Sequence, residues 1–408
     1  MQEERVVITG MGTVNALAKN TAAFAAALQE GACGIGPLTL FDTSAFRTHV
    51  GAEIRDFKPH EMIPEGYSLK RMSRSDMMAF AATIEALRDA GLSPLPDELC
   101  EETGVVMGAG AGGKPEGEDF FRDYLKNQGK GARFSRLSSL YGAASADHIS
   151  RHLGLMGPKT SLMTACSSGA TAIGLARDLV RRRAAKIMIA GGVEPLCRTT
   201  YASFNALQAV DPGCCKPFDR NRQGISLGEA AAILILESLG HARNRGARIY
   251  GEVLGYGVTC DAVHMTAPDA EASGAVRAMQ AAIADAGVAV DAIDYINAHG
   301  TATRVNDIME TKAIKDVFGK RACRIPVSST KSMTGHTLGA SGALEAIVSL
   351  LAIRHDFIPP TIHHDEPDPA CDLDYVSTGM RRADVRYVLS NSFAFGGNNT
   401  TLILGKLG

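Results

Sequence analysis

Short apolar runs alternate along this chain with longer stretches whose apolar positions recur at helical spacing. Val6–Thr9 predicts a strand ending at Gly10-Met11-Gly12, and Thr21–Glu30 predicts a helix. Met77–Ala90 reads as a helix stopped by Gly91, where a residue tolerant of left-handed dihedrals belongs. Gly104–Met107 is a short strand that runs into the glycine-rich segment 108–113. Lys186–Ala190 is a strand ending at Gly191-Gly192, and Ala230–Leu236 is apolar enough to be buried on both faces. Val276–Ala286 predicts a helix closed by Gly287, and Tyr387–Ser390 and Thr401–Leu404 predict two late strands. This alternation predicts an α/β fold of mixed or parallel sheets covered by helices. The pattern also has an internal echo. Cys166-Ser-Ser-Gly-Ala opens a helix that leads to the strand at 186–190; Gly339-Ala-Ser-Gly-Ala343 opens Leu344–Ile353, followed by Phe357-Ile358-Pro359. Such turns are common before helices, yet their repetition in the same order fits a duplication. Pro359–Pro369 reads as a surface connection.

Composition narrows the classes. With 408 residues, the chain can bury either one large α/β unit or two fused ones. A net charge of −2 removes any bulk electrostatic case for nucleic acid or a membrane surface. No uninterrupted apolar run reaches the roughly 18 residues of a spanning helix. The N-terminus lacks the basic-then-apolar layout of a signal peptide, so a cytoplasmic location is expected. The 9 cysteines are irregularly spaced without a Cys-x-x-Cys, which argues against a disulfide framework and against a zinc or other metal site. Cys214-Cys215, in a turn-rich segment, reads as structural.

Three residues carry candidate chemistry, and two more are placed to support them. Cys166 precedes a helix expected over 167–183, where unpaired backbone N–H groups favour a thiolate and can hold an oxyanion. The same position also suits a buried thiol at a tight turn. His299 follows a short strand in Tyr295-Ile-Asn-Ala-His-Gly-Thr-Ala-Thr303, and His336 ends the polar loop Ser328-Ser-Thr-Lys-Ser-Met-Thr-Gly-His336. Both sit in loops with little apolar packing, where catalytic and hydrogen-bonded structural histidines are both at home. No catalytic role is assigned to His60, His148, His241 or His264. Lys331, in a small-residue, Gly-rich setting, needs a partner if buried, and Glu310 is the candidate.

Together these segments resemble a family. Thr164-Ala-Cys-Ser-Ser-Gly169, Asn297-Ala-His-Gly-Thr-Ala-Thr303, Ser328–His336 and Asn391-Ser-Phe-Ala-Phe-Gly-Gly-Asn-Asn399 occur in the order found in the elongating β-ketoacyl-[acyl-carrier-protein] synthases, and the likeness extends back to Val7-Ile-Thr-Gly-Met-Gly12. The resemblance implies the thiolase fold: two related α/β halves in five αβαβα layers, usually a dimer. Residues 1–255 would carry the nucleophile and 256–408 both histidines. It implies acyl transfer from acyl carrier protein to Cys166, then decarboxylative condensation with malonyl-carrier protein, with no cofactor beyond the carrier's phosphopantetheine. Lys331 and Glu310 would organise His299 and His336. The Cys166 and Phe395 amides would form the oxyanion hole, with Phe393, Gly396 and Gly397 in the gating loop. Thr301 and Thr303 match pantetheine-holding positions, and Ala111 and Tyr201 are placed on the substrate side. Lys70, Arg71 and Arg74, with Lys126, Lys130, Arg133 and Arg136, are candidates for the carrier-protein surface. Two positions depart from the usual pattern. Asn398 stands where the family usually has Thr, and Ala111 stands where a larger aliphatic residue is common, which hints at a deeper acyl pocket. A late catalytic Cys, expected of a degradative thiolase, is missing from the Asn391–Asn399 motif, and His336 replaces the Asn of an initiating synthase. The alternatives are a type II polyketide or polyene ketosynthase subunit and, against the presence of Cys166, a non-catalytic chain-length partner in a heterodimer.

Overall fold

The computed structural model describes residues 4–408. Its main sheet has ten strands: β1 (Val6–Asn15), β2 (Thr103–Ala109), β3 (Lys159–Leu162), β4 (Ile187–Glu194), β5 (Ala230–Ser238), β6 (Gly251–Cys260), β7 (Tyr295–Asn297), β8 (Val327–Ser328), β9 (Tyr387–Ala394) and β10 (Asn398–Gly405). They lie in the order β8-β7-β9-β10-β6-β1-β5-β4-β2-β3. From the centre outward, each side runs through two antiparallel pairings and then two parallel ones. Within the sheet the two halves are joined by a short β1–β6 pairing, Val7 opposite Glu252 and Ile8 opposite Gly251. This matching order is the duplication hinted at by the repeated turn. Residue 255 falls inside β6, the first strand of the second half.

The helices that set the layers are α1 (Thr21–Glu30), α2 (Arg74–Asp89), α3 (Ser168–Arg181), α4 (Ser273–Ala286), α5 (Arg304–Phe318) and α6 (Ser341–His355). α2 covers β1 and β5 on one outer face; α4 covers β6 and β10 on the other, with α5 beside it. α3 and α6, the two helices of the echo, pack on each other between the sheet halves. The result is five layers, helix–sheet–helix–sheet–helix. Being central, α6 is buried at every position from Ser341 to Ile353. The segment Leu338–His355 has a mean hydropathy of 1.2, enough by composition to cross a membrane, yet here 83% of it is packed inside the protein.

Glycines explain the first boundary that the pattern missed. β1 does not end at Gly10 but continues to Asn15. A Cβ at Gly10 or Gly12 would overlap the Ala86 or Ala82 carbonyl of α2. In the second half, Gly255 and Gly257 lie against the Ala282 and Ala278 carbonyls of α4 in the same way. These glycines permit helix-to-strand contact and do not terminate the strand. α2 likewise begins three residues earlier than its apolar periodicity suggests. Ser73 caps it: the Ser73 hydroxyl accepts from the Asp76 amide, and the Asp76 carboxylate accepts from the Ser73 amide.

Candidate active site

Cys166 lies in a tight turn, residues 165–167, that leads directly into α3. Ala165 adopts φ +50°, a left-handed conformation unusual for a residue with a side chain, which lifts the following Cys166 out of the strand direction. The turn is fastened locally. Ser168 Oγ accepts from the Thr164 amide at 2.9 Å and donates to the Ala165 carbonyl at 2.7 Å. The Phe395 amide points at the Cys166 sulfur from the opposite loop.

His336 Nε2 is 3.1 Å from Cys166 Sγ. Its Nδ1 accepts from the Leu338 amide at 3.2 Å. Because Nδ1 is an acceptor there, the neutral ring carries its proton on Nε2, which is aimed at the sulfur. His299 crosses His336 edge-on, with ring centroids 5.5 Å apart, and packs beside Phe393 at 6.1 Å. One ligand atom from each of Cys166, His299 and His336 lies within 4.8 Å of the others. His299 Nδ1 is buried and has no partner among the described residues.

The backbone that presents His299 is held by Glu310, not by another side-chain charge. The His299 and Gly300 amides each donate to a Glu310 carboxylate oxygen at 2.8 Å, and Asn391 adds a third bond at 3.2 Å. The expected Lys331–Glu310 pair is therefore corrected. Lys331, only 2% exposed, pairs with Glu345 of α6. Glu345 was legible in principle, as the sole acidic residue in the apolar stretch of α6, since a charge in a buried helix requires a partner.

Electrostatics follow from this burial. Desolvation holds both histidines well below their ordinary range, and the nearby Lys331 ammonium lowers them further, so both rings are neutral. Burial also pushes the Cys166 thiol up to about 12, against the opposing pull of Lys331 and of the Phe395 amide. The expected resting thiolate is thus corrected. Helix-terminal N–H groups do favour the anion, but with the residue 7% exposed the loss of water outweighs them. Cys166 rests as a thiol. Burial raises Glu310 and Glu345 to about 7 as well.

A cavity of about 210 Å³ joins these groups. Cys166, His299 and His336 share its walls with Thr301, Thr303, Phe393 and Phe395. The Thr301 and Thr303 hydroxyls are 3.0 Å apart on its polar side. Phe395 stacks on Phe204 at 5.6 Å. Its loop turns through Gly396 at φ +81° and Gly397 at φ +71°. Asn398 Nδ2 donates to the Phe395 carbonyl at 3.1 Å, so the departure at this position fastens the loop.

Three sequence-derived positions fall elsewhere. Ala111 does not line the cavity; with Gly110 and Gly339 it donates its amide to the buried Glu194 carboxylate. Tyr201 is fully buried, bonded to Thr48 and the Val50 carbonyl between Phe41 and Phe46, while Phe204, one helical turn on, faces the cavity instead. Arg74 is clasped by the buried Glu229 through two bonds of 2.6 and 2.9 Å and is not a free surface cation. Lys70, Arg71, Lys126, Lys130, Arg133 and Arg136 are exposed. Lys70 and Arg71 border a hollow of about 390 Å³ with Arg151, and a second of about 290 Å³ with Arg133 and Arg136, both away from the cysteine.

Comparison with known proteins places this geometry. Residues 3–242 match the N-terminal domain of beta-ketoacyl synthase, and residues 250–365 match its C-terminal domain. The 3-oxoacyl-[acyl-carrier-protein] synthase 2 of Synechocystis sp. is 42% identical over 415 residues, covering 100% of this chain and 99% of that protein. Among solved structures, the ishigamide ketosynthase/chain length factor superposes with a TM-score of 0.95 at 39% identity, covering 100% of both chains. A type II polyketide acyl carrier protein in complex with its ketosynthase, AntDE:AntF, matches with a TM-score of 0.90 at 29% identity, again covering 100% of both chains. Two matched domains that together span most of the chain, and a full-length relative, show that this protein belongs to the β-ketoacyl synthase family.

Proposed function

We propose that the protein is a 3-oxoacyl-[acyl-carrier-protein] synthase that elongates an acyl chain by two carbons, with Cys166 as nucleophile. The observation that carries this reading is the convergence of one sulfur and two neutral imidazoles on a cavity with a polar and an aromatic side. In the first stage the Cys166 thiol attacks the acyl-carrier thioester. The N–H groups at the start of α3 and the Phe395 amide stabilise the oxyanion. One thioester replaces another, and the thiol proton leaves with the pantetheine sulfur. In the second stage, malonyl-carrier protein loses CO₂, and the electron pair of the broken C–C bond becomes the enolate of the remaining acetyl thioester. The His336 Nε2–H and a ring N–H of His299 hold the enolate oxygen. The enolate carbon attacks the Cys166 acyl carbon and expels the sulfur, which takes up a proton from solvent. Neutral imidazoles suit this step because they stabilise the enolate without protonating it.

Thr301 and Thr303 are suited to hold the pantetheine arm on the polar side. Phe204, Phe395 and Ile225 supply apolar wall for the acyl chain. The chemistry requires no cofactor of its own, since the carrier's phosphopantetheine brings both substrates. Lys70, Arg71, Lys126, Lys130, Arg133 and Arg136 offer an acidic carrier protein an exposed basic surface. A cytoplasmic dimer completes the proposal. The free sheet edge at β3, with Met163 exposed beside it, offers a surface for a second copy. The 39% identity to a ketosynthase/chain length factor structure favours a second reading, in which the partner is a related chain and the product a polyketide or polyene. Intact-mass analysis after incubation with saturated and polyene acyl-carrier proteins tests both. Acyl adducts are expected on the wild type and none on Cys166→Ala. Adducts that survive in the variant would remove Cys166 from its role, and the chain type accepted distinguishes the pathways.

A further inference from the structure

A second set of ligand atoms converges outside the cavity. Cys33, Cys214 and His363 each offer one, all within 4.8 Å of one another. Cys33 Sγ is 3.5 Å from His363 Nε2. Cys33 is exposed, and Cys214 and His363 are half-buried, so an ion can enter. The absence of a Cys-x-x-Cys said nothing about this set, because its members come from the loop after α1, the 211–216 turn and the 359–369 connection.

All three segments are pre-positioned on one short turn. Gly34, next to Cys33, donates its amide to the Met333 carbonyl at 2.8 Å. Ile362, next to His363, donates its amide to Ser332 Oγ at 3.0 Å. Cys215, next to Cys214, donates its thiol to the Lys331 carbonyl at 3.3 Å. A neighbour of each candidate ligand thus grips a successive residue of Lys331-Ser332-Met333, in the turn that leads through Thr334 and Gly335 to His336. His363 itself is held at φ +63°, a region that residues with side chains seldom occupy. Asp211 has each carboxylate oxygen occupied, by the Gly213 and Gln223 amides, yet its charge reaches Cys214 and His363.

Two sulfurs and one imidazole nitrogen are the donor set of a zinc site. Zinc–sulfur bonds of about 2.3 Å and zinc–nitrogen bonds of about 2.0–2.1 Å set tetrahedral ligands somewhat under 4 Å apart. Cys33 Sγ and His363 Nε2, 3.5 Å apart, already meet this spacing, and the remaining separations, within 4.8 Å, reach it by a contraction of about 1 Å or less.

We propose that Cys33, Cys214 and His363 bind one zinc ion, with water in the fourth position. Binding displaces the two thiol protons, and the two thiolates neutralise the ion. The ion ties together the three segments that clasp residues 331–333. It braces the loop bearing Lys331 and His336 from behind and takes no part in the reaction.

The test uses reduced, chelator-stripped Cys166→Ala protein, so the catalytic sulfur cannot contribute. It is titrated with Co²⁺ and then with Zn²⁺. Expected are a thiolate-to-cobalt charge-transfer band with tetrahedral ligand-field bands, saturating near one ion per chain and lost to zinc. Zinc is expected to release two protons per ion and to raise the melting temperature. Adding Cys33→Ser or Cys214→Ser should remove the band. Adding His363→Ala should weaken binding by at least the roughly 10–100-fold that loss of a supporting outer partner costs. No charge-transfer band, a band that persists in the Cys33→Ser/Cys214→Ser protein, or a Cys33–Cys214 disulfide in protein isolated without reductant would overturn the proposal.

Discussion

Replacing Lys331 with Met retains most of the side-chain volume but leaves Glu345 without its buried partner. Glu345, 3% exposed, already sits at about 7 against an ordinary value of 4.5, because desolvation outweighs the pull of Lys331. A carboxyl raised on folding contributes stability below its unfolded pKa and loses it as pH rises through the folded pKa. In the wild type that loss ends near pH 7. Without the ammonium the carboxyl rises further, and the variant keeps losing about 1.36 kcal/mol per pH unit beyond that point. The difference between the two proteins therefore opens above pH 7 and reaches up to about 2.7 kcal/mol by pH 9. The full cost stays within the roughly 3–5 kcal/mol of a broken buried pair. Urea-unfolding midpoints of both proteins from pH 6 to pH 9 measure it. A stability difference that is flat with pH, or largest at pH 6, would refute the reasoning. The same substitution removes one cause of the low histidine pKa values, so both should rise while burial keeps them below the ordinary range.

Three further outcomes are expected. Phe204→Ala removes the stack beneath Phe395, worth about 0.5–1.5 kcal/mol, and should speed hydrolysis of the acyl-enzyme about 2–10-fold in a mass-spectrometric time course; an unchanged lifetime would exclude Phe204 from the gate. Arg74→Gln should lower the melting temperature by breaking the clasp on Glu229, whereas Arg71→Gln should leave it intact and weaken carrier-protein binding most at low salt, as calorimetry at two ionic strengths would show. Gly257→Ala forces a Cβ onto the Ala278 carbonyl and should cost at least about 1–3 kcal/mol in urea unfolding, with a near-neutral result contradicting the close packing of α4 on β6.

The parts of this architecture readable from sequence are those written in local chemistry. α1 spans the same residues that its pattern marks, and four short motifs carry Cys166, His299, His336, Thr301, Thr303, Phe393 and Phe395, which meet in one cavity. What escaped depends on which surface presses on which. Gly10 and Gly12 look like punctuation until α2 lies across them. Glu310 and Glu345 both sit on buried helix faces, and only the fold decides which one meets the lysine. Tyr201 and Phe204 differ by a single helical turn, and one turn separates the core from the cavity wall. The position of Cys166 at a helix start is legible, but the desolvation that keeps it a thiol comes from the surrounding walls. The Cys33–Cys214–His363 convergence spans three segments that no spacing rule connects.

The central claim is that two uncharged rings support carbon–carbon bond formation at a sulfur they do not need in order to load it. Pre-acylated wild type and pre-acylated His336→Ala, each mixed with malonyl-carrier protein in a single turnover, put it to the most direct trial. The variant is expected to accept the acyl group yet form 3-oxoacyl product about 10²–10³ times more slowly, the cost of one lost donor to the developing oxyanion. Product formed at the wild-type rate would contradict it.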